Sequence, residues 1–301
     1  MVENRIHADQ RKARTILYRH DRYTCHELTA PRGAGSSGRT RTGRLETMLR
    51  TIQATRYVMP LREGGSMPAI IEAEDCGLYV LKFRGAGQGP LALVAELVAG
   101  EIGRALGLRV PELCLVEVEI ALGRNEPDAE IRDLMKRSIG TNLAMDFLPG
   151  ATMFDLAAGD QVDAETASLA VWFDAFVTNI DRTVRNPNLL MWHGNPWFID
   201  HGAALYFQHQ WRDEAYLADP AARFAAIHTH VLLPWASDLG KADAHAKQRL
   251  NESLFRDILA LVPDAWLAGA EREAYVTYLT QRLAHTDGFV AEAQRAHADL
   301  V

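Results

Sequence analysis

The sequence predicts an α+β fold of two lobes, a small antiparallel sheet followed by a larger helical body. Three observations point there. The chain has 301 residues, 48% of them hydrophobic, enough to bury one large core or two moderate ones. From Thr51 onward, three short runs rich in β-branched and aromatic residues alternate with glycine-containing turns, the pattern of an antiparallel meander. Beyond Gly150 nearly every segment reads as helix, interrupted by one hairpin.

The elements follow in order. Residues 1–47 carry ten Lys and Arg against five Asp and Glu, whereas the remainder carries 22 against 34. The stretch "PRGAGSSGRTRTGR" offers too little apolar surface to offset ordering, so residues 1–47 are expected to be a basic, flexible extension. It is either an upstream addition before a start at Met48 or a basic docking arm. The strand-like runs "TIQATRYVMPL", "PAIIEA" and "LYVLKF" come next. A helix is then predicted from Pro90 to near Gly107, with apolar residues recurring at Leu91, Val94, Val98, Ile102 and Leu106. "VPELCLVEVEIAL", a polar loop and "SIGTNLAMDFLPG" supply two more strands. The sheet and its helix form a first lobe over residues 48–146. Residues 147–301 form a second, helical lobe that opens with "AETASLAVWFDAFVTN".

Composition excludes several function classes. A net charge of -7 supplies no general attraction to phosphate backbones or anionic lipid heads, so neither nucleic acid nor membrane is an expected partner. Cys25, Cys76 and Cys114 are too few and too scattered for a disulfide framework or a zinc knuckle. No run approaches the roughly 18 to 20 apolar residues that span a bilayer, and a cytoplasmic location is expected. His201, His209, His228 and His230 lack the spacing of a zinc site. Trp172, Trp192, Trp197 and Trp235 are expected in the core.

The chemistry concentrates in "NIDRTVRNPNLLMWHGNPWFIDHG", residues 179–202. Here "NLLMW" and "PWFID" read as paired strands, and centring the turn on Gly194 and Asn195 sets Leu189 opposite Asp200. Asn186 then falls near Asp200, and one loop aims Asp181 and Asn186 at a common point. Two carboxylates and an amide oxygen at a loop mouth suit a hard divalent cation such as Mg²⁺, with phosphate oxygens completing its shell.

An Asp, four residues, an Asn, a hairpin and "IDHG" resemble the catalytic and metal-binding loops of the protein-kinase-like superfamily. "NIDRTVRNPNLL" followed by "FIDHGAALYF" is most similar to the HipA-like kinases, with phosphatidylinositol 3- and 4-kinases more distant. The resemblance runs from about Leu49 to the C-terminus and implies a bilobal protein-kinase-like fold. It implies that Asp181 orients or deprotonates the attacking hydroxyl, and that Asn186 and Asp200 hold Mg²⁺ on ATP. Asn179-Ile180-Asp181 and Asp200-His201-Gly202 stand where eukaryotic protein kinases carry His-Arg-Asp and Asp-Phe-Gly. In the same frame Lys82 pairs with the α- and β-phosphates. Glu96 is its helix acid, sharing a face with Gly100 and Gly103, and Glu101 is the alternative. Gly64, Gly65 and Ser66 occupy the position of a glycine-rich phosphate loop. "RGAGQGP" reads as a strand-to-helix connection, and the backbone from Met145 through Asp146 to Phe147 is the expected adenine contact.

The resemblance thus implies an ATP- and Mg²⁺-dependent kinase whose acceptor is a protein Ser or Thr. A lipid or small-molecule kinase and a nucleotide-binding regulatory pseudokinase are the rivals. Removing residues 1–46 should leave folding and ATP binding intact. Thermal melts of the truncated chain, with and without Mg-ATP, should stay within about a few degrees of the full chain.

Overall fold

The computed structural model describes residues 49–61, 67–124, 126–210, 219–267 and 272–300. The chain divides into two units, Met1–Glu46 and Thr47–Val301, and every described residue lies in the second. The extension and the Gly64, Gly65, Ser66 loop fall outside the described residues.

Strands β1 (Thr51–Pro60), β2 (Ala69–Ala73), β3 (Leu78–Lys82), β4 (Leu113–Val118) and β5 (Gly140–Asp146) close into a barrel of order β1-β2-β3-β5-β4. Four of its pairings are antiparallel, as expected. The fifth is not: β1 runs parallel to β4, from Thr51 opposite Leu115 to Gln53 opposite Glu117. A helical crossover between β3 and β4 makes that direction available. Register irregularities between Ala54 and Arg56 and between Tyr57 and Met59 bend β1 towards closure.

Alternation along the strands separates two cores. Ile52, Ala54, Ile71, Tyr79, Leu81, Cys114, Val116 and Ala144 fill the barrel. Leu113, Leu143 and Met145, one residue out of phase, belong instead to the large core that includes helix α1 (Pro90–Leu106). Pro at the first turn starts α1, and Gly107, at φ 96°, ends it with its N–H on the Arg104 and Gly103 carbonyls. A Cβ on Gly100 would stand 2.8 Å from Leu113 Cδ1, so the bare glycine lets helix and sheet approach closely.

A second helix, α2 (Ala129–Arg137), occupies the segment expected to be a polar loop. Asp128 caps it by accepting the Glu130 and Ile131 amides. Ile131, Leu134 and Met135 cover the barrel core, and these three large apolar side chains are the helix's main signal in sequence. The rest of the chain contributes α3 (Ala164–Phe176), α4 (Leu239–Arg249), α5 (Glu252–Ala260), α6 (Arg272–Ala284) and α7 (Asp287–Ala298). With them comes a sheet of β6 (Thr152–Met153), β7 (Leu189–Trp192) and β8 (Asn195–Phe198). Between β8 and α4 the described chain runs in turns and short 3₁₀ segments where helix was expected.

Helix α3 is the axis of this half. Trp172 stacks on Phe176 at 5.0 Å, meets Phe289 edge-on at 5.7 Å, and donates its indole N–H to Asp243 at 2.9 Å. Buried Arg282 donates to the Ala175 and Phe176 carbonyls at the helix end, satisfying acceptors that have no partner within the helix. Trp172 is fully buried as expected, but Trp192, Trp197 and Trp235 keep partial exposure. Among the described residues no helix is long and apolar enough to cross a membrane.

Leu143 is fully buried where the barrel faces α1. Leu143→Ala should lower unfolding free energy by about 2–5 kcal/mol, the range for opening a cavity at a packed leucine. Urea titration checks this through a lower midpoint at constant slope.

Candidate functional site

Leu81 points into the barrel, so its neighbour Lys82 faces the opposite way, towards α1. There Lys82 Nζ donates to Glu96 Oε2 at 2.7 Å and to Asp200 Oδ1 at 2.6 Å. Lys82 and Glu96 are buried, whereas the Asp200 side chain is 44% exposed. Burial favours the neutral forms of both buried groups. The charges prevail: Asp200 and Glu96 raise Lys82 above its usual value, and Lys82 brings Glu96 down to about 2. Behind them His201, wholly buried, sets Nδ1 3.6 Å from Glu96 Oε1 and packs edge-on against Phe173 at 5.6 Å. Glu101 is also buried but lies 3.6 Å from Arg104, so Glu96 is the acid that meets Lys82.

Asp181 lies in the loop after α3. Its Oδ2 accepts Asn186 Nδ2 at 2.8 Å and Asn188 Nδ2 at 3.3 Å. Asp181 and Asn186 therefore meet directly, and Lys82, Glu96 and Asp200 form the other cluster. The hairpin joining them differs from the expected register. Its turn centres on His193 and Gly194, and Leu189 pairs with Phe198, not Asp200. Both turn residues have positive φ, 49° and 72°, as a two-residue hairpin turn requires. The correction is two residues, so the side chains keep their faces. Asp200 then lies beyond the paired strands, at φ 56°. Thr178, Asn188 and Leu205 share that left-handed region, at 54°, 46° and 52°, where branched or bulky side chains are strained.

Met145 is buried at the end of β5, opposite Val80 and Leu113. The Asp146 and Phe147 amides bond to the Glu112 and Leu78 carbonyls at 2.9 and 3.1 Å, so these two donors are already engaged within the barrel. In "RGAGQGP" the Arg84 and Gly85 amides bond to Asn142 and Ser138 side chains, and Ala86 and Gly89 close turns. That segment is a connection.

Residues 55–288 match the family model described as HipA-like kinase. The chain belongs to the HipA-like kinase family. Membership supports a kinase-type function and a kinase-like fold for this HipA-like chain. Among solved structures it is similar to the Helicobacter pylori proinflammatory kinase CtkA, at 15% identity and TM-score 0.43, covering 81% of this chain and 97% of that one. It is also similar to the Golgi casein kinase, at 11% identity and TM-score 0.44, covering 84% and 74% of the two chains. The same kinase with Mn/ADP bound gives TM-score 0.45 at the same identity and coverage. Likenesses this distant carry no functional argument. No curated protein matches the sequence.

The donors of this family member suit a hard cation with few protein ligands. Among the described residues no group of three or more His, Cys, Asp and Glu is placed to hold a metal. Half-exposed Asp200 offers a carboxylate oxygen beside the Lys82 charge, while exposed Asn186 lies in the Asp181 cluster with its amide oxygen as a further donor. Oxygen donors of this kind suit a hard divalent cation that takes its other ligands from water or phosphate. Sequence reasoning missed His201 behind Glu96 and the buried group of Asp174, Arg182, Asn188 and His230 beneath the loop. One signal was present: Asp174 is a lone acid inside "AVWFDAF".

Glu96 titrates near 4.5 when unfolded and at about 2 when folded. Its contribution to stability is present above pH 4.5 and lost as pH falls from there towards 2. Glu96→Gln should lower the melting temperature at pH 7 and flatten its decline across that acid window. Paired thermal melts at stepped pH check this, and an unchanged acid slope would contradict the assignment.

Proposed function

We propose that this HipA-like family member transfers the γ-phosphoryl group of ATP, with Mg²⁺, to the hydroxyl of a protein Ser or Thr. Residues 48–146 form the nucleotide lobe in this reading, and residues 147–301 carry the catalytic loop. The observation that supports it most is the Lys82 contact with both Glu96 and Asp200, because it gathers a phosphate-binding cation and a metal-facing carboxylate at one point.

Each residue has a definable task. Glu96 keeps Lys82 charged and aimed, and Lys82 binds α- and β-phosphate oxygens. Asn186 and Asp200 would hold Mg²⁺, which when bound neutralises developing charge on the phosphates. The two asparagine amides fix Asp181 through Oδ2. In this reading Oδ1, which accepts no hydrogen bond from the described residues, takes the proton of the attacking hydroxyl. Beside Asp181, Ile180 and Val184 stand 44% and 65% exposed, an open rim that supports a polypeptide acceptor over a small, enclosed one.

Asp181→Asn should retain Mg-ATP affinity while turnover falls by about 10² to 10⁴. Lys82→Ala should weaken ATP binding itself. Calorimetry and labelled phosphoryl transfer to protein substrates, or slow ATP hydrolysis, on the same preparations check both. Wild-type protein that binds Mg-ATP yet turns over no faster than Asp181→Asn would turn the reading to a regulatory pseudokinase.

A further inference from the structure

We propose that Asp174, Arg182 and His230 are positioning residues that lock the Asp181 loop to the chain segment carrying Asp200. This rests on the kinase reading of that loop. Asp174 projects from the last turn of α3 and is fully buried. Its Oδ1 accepts Asn179 Nδ2 at 2.8 Å, while Oδ2 accepts Arg182 Nε at 2.5 Å and lies 2.9 Å from His230 Nε2. His230 Nδ1 accepts the Leu232 amide at 3.1 Å. The proton of the neutral ring therefore sits on Nε2 and is donated to Asp174.

Arg182 carries this anchor outward. Its Nη1 donates to the Asn188 carbonyl and lies 3.4 Å from the Pro187 and Ile199 carbonyls. Those carbonyls follow Asn186 and immediately precede Asp200. The guanidinium also stacks 5.3 Å from the Phe198 ring centroid. From the other side, the Val231 amide bonds to the Arg182 carbonyl at 3.1 Å, and Thr183 bridges to His230. One planar cation thus touches the backbone on both sides of the hairpin, directly after Asp181.

Stability alone does not account for the arrangement. Replacing a buried ion pair with packed apolar side chains is often neutral or stabilising. What apolar side chains cannot do is engage backbone carbonyls of the hairpin and the Asp174 carboxylate at once, which Nη1 and Nε of one guanidinium do. Burial opposes charge on Asp174, but Arg182 and His230 outweigh it and hold the carboxyl far below the usual range. The loop therefore keeps its anchor at neutral pH, with Thr178 and Asn188 held in left-handed conformations beside it.

The test uses the full chain with Arg182→Lys, which keeps the charge and loses the fork, and the pair His230→Ala and His230→Gln, of which only the second retains a donor for Asp174. Melting temperature, Mg-ATP affinity by calorimetry and turnover are measured together. Arg182→Lys should stay folded and bind Mg-ATP within about 3-fold of wild type, while kcat falls about 10- to 100-fold, as misplaced catalytic groups produce. His230→Gln should recover about 10-fold of the turnover lost in His230→Ala. Folded Arg182→Lys with turnover within about 3-fold of wild type would overturn the proposal and leave the kinase reading standing. Affinity falling in step with turnover would also overturn it, by making the network a binding or folding element. Should Arg182→Lys fail to fold, the His230 pair decides: equal turnover in both variants refutes positioning. A wild type without turnover removes the kinase reading and this assignment with it.

Discussion

Lys82 is a cation taken out of water, and such a charge persists only where carboxylates meet it. Glu96 and Asp200 do so from a helix 14 residues away and from a loop 118 residues away. Barrel, helix α1 and hairpin must therefore come together at one atom. Removing one partner from a buried pair costs about 3–5 kcal/mol, although the intact pair adds little over apolar packing. A fold seeking stability alone would place a leucine at position 82, as at neighbouring Leu81. The proposed phosphate contact would account for the charge.

The surrounding structure reads as support for that point. Gly100 lets α1 lie against Leu113, which brings Glu96 within reach of β3. Gly202 has Glu96 Oε2 and the Ala92 carbonyl at van der Waals distance from where a Cβ would be, so the segment after Asp200 rests directly on the helix. Strained backbone at Thr178, Asn188, Asp200 and Leu205 is held by buried hydrogen bonds, including the Leu205 amide on the Val177 carbonyl at 2.7 Å. Strain of this kind survives only where the surroundings over-determine it. Here the surroundings are α3 and the polar group at its end, which tie the helix to the Asp181 loop.

Local signals and long-range contacts divide what could be read in advance from what could not. Short-period patterns are encoded residue by residue. The barrel strands, α1 with its Pro90 start and Gly107 stop, α3, and the Asp-Asn-hairpin-Asp pattern that resembles HipA-like kinases were all legible from them. Helix α2 was not, because three large apolar residues in nine leave periodicity too weak and the Asp128 cap alone is a common turn signal. The hairpin turn was misplaced because Gly194 fits either turn position, and only the left-handed His193 beside it picks the register.

By itself the sequence determined the family, the barrel strands and helices α1 and α3, since each depends on residue type and near-neighbour spacing. Tertiary structure alone decided that β1 closes on β4 in parallel, that Glu96 and not Glu101 meets Lys82, and that Asp200 shares the contact. It also decided that His230, 56 residues from Asp174, bonds to that carboxylate beneath the Asp181 loop. These are pairings between groups far apart in the chain. Nothing in either local sequence specifies the other, and the partner is chosen only when burial forces each unsatisfied donor and charge to find one.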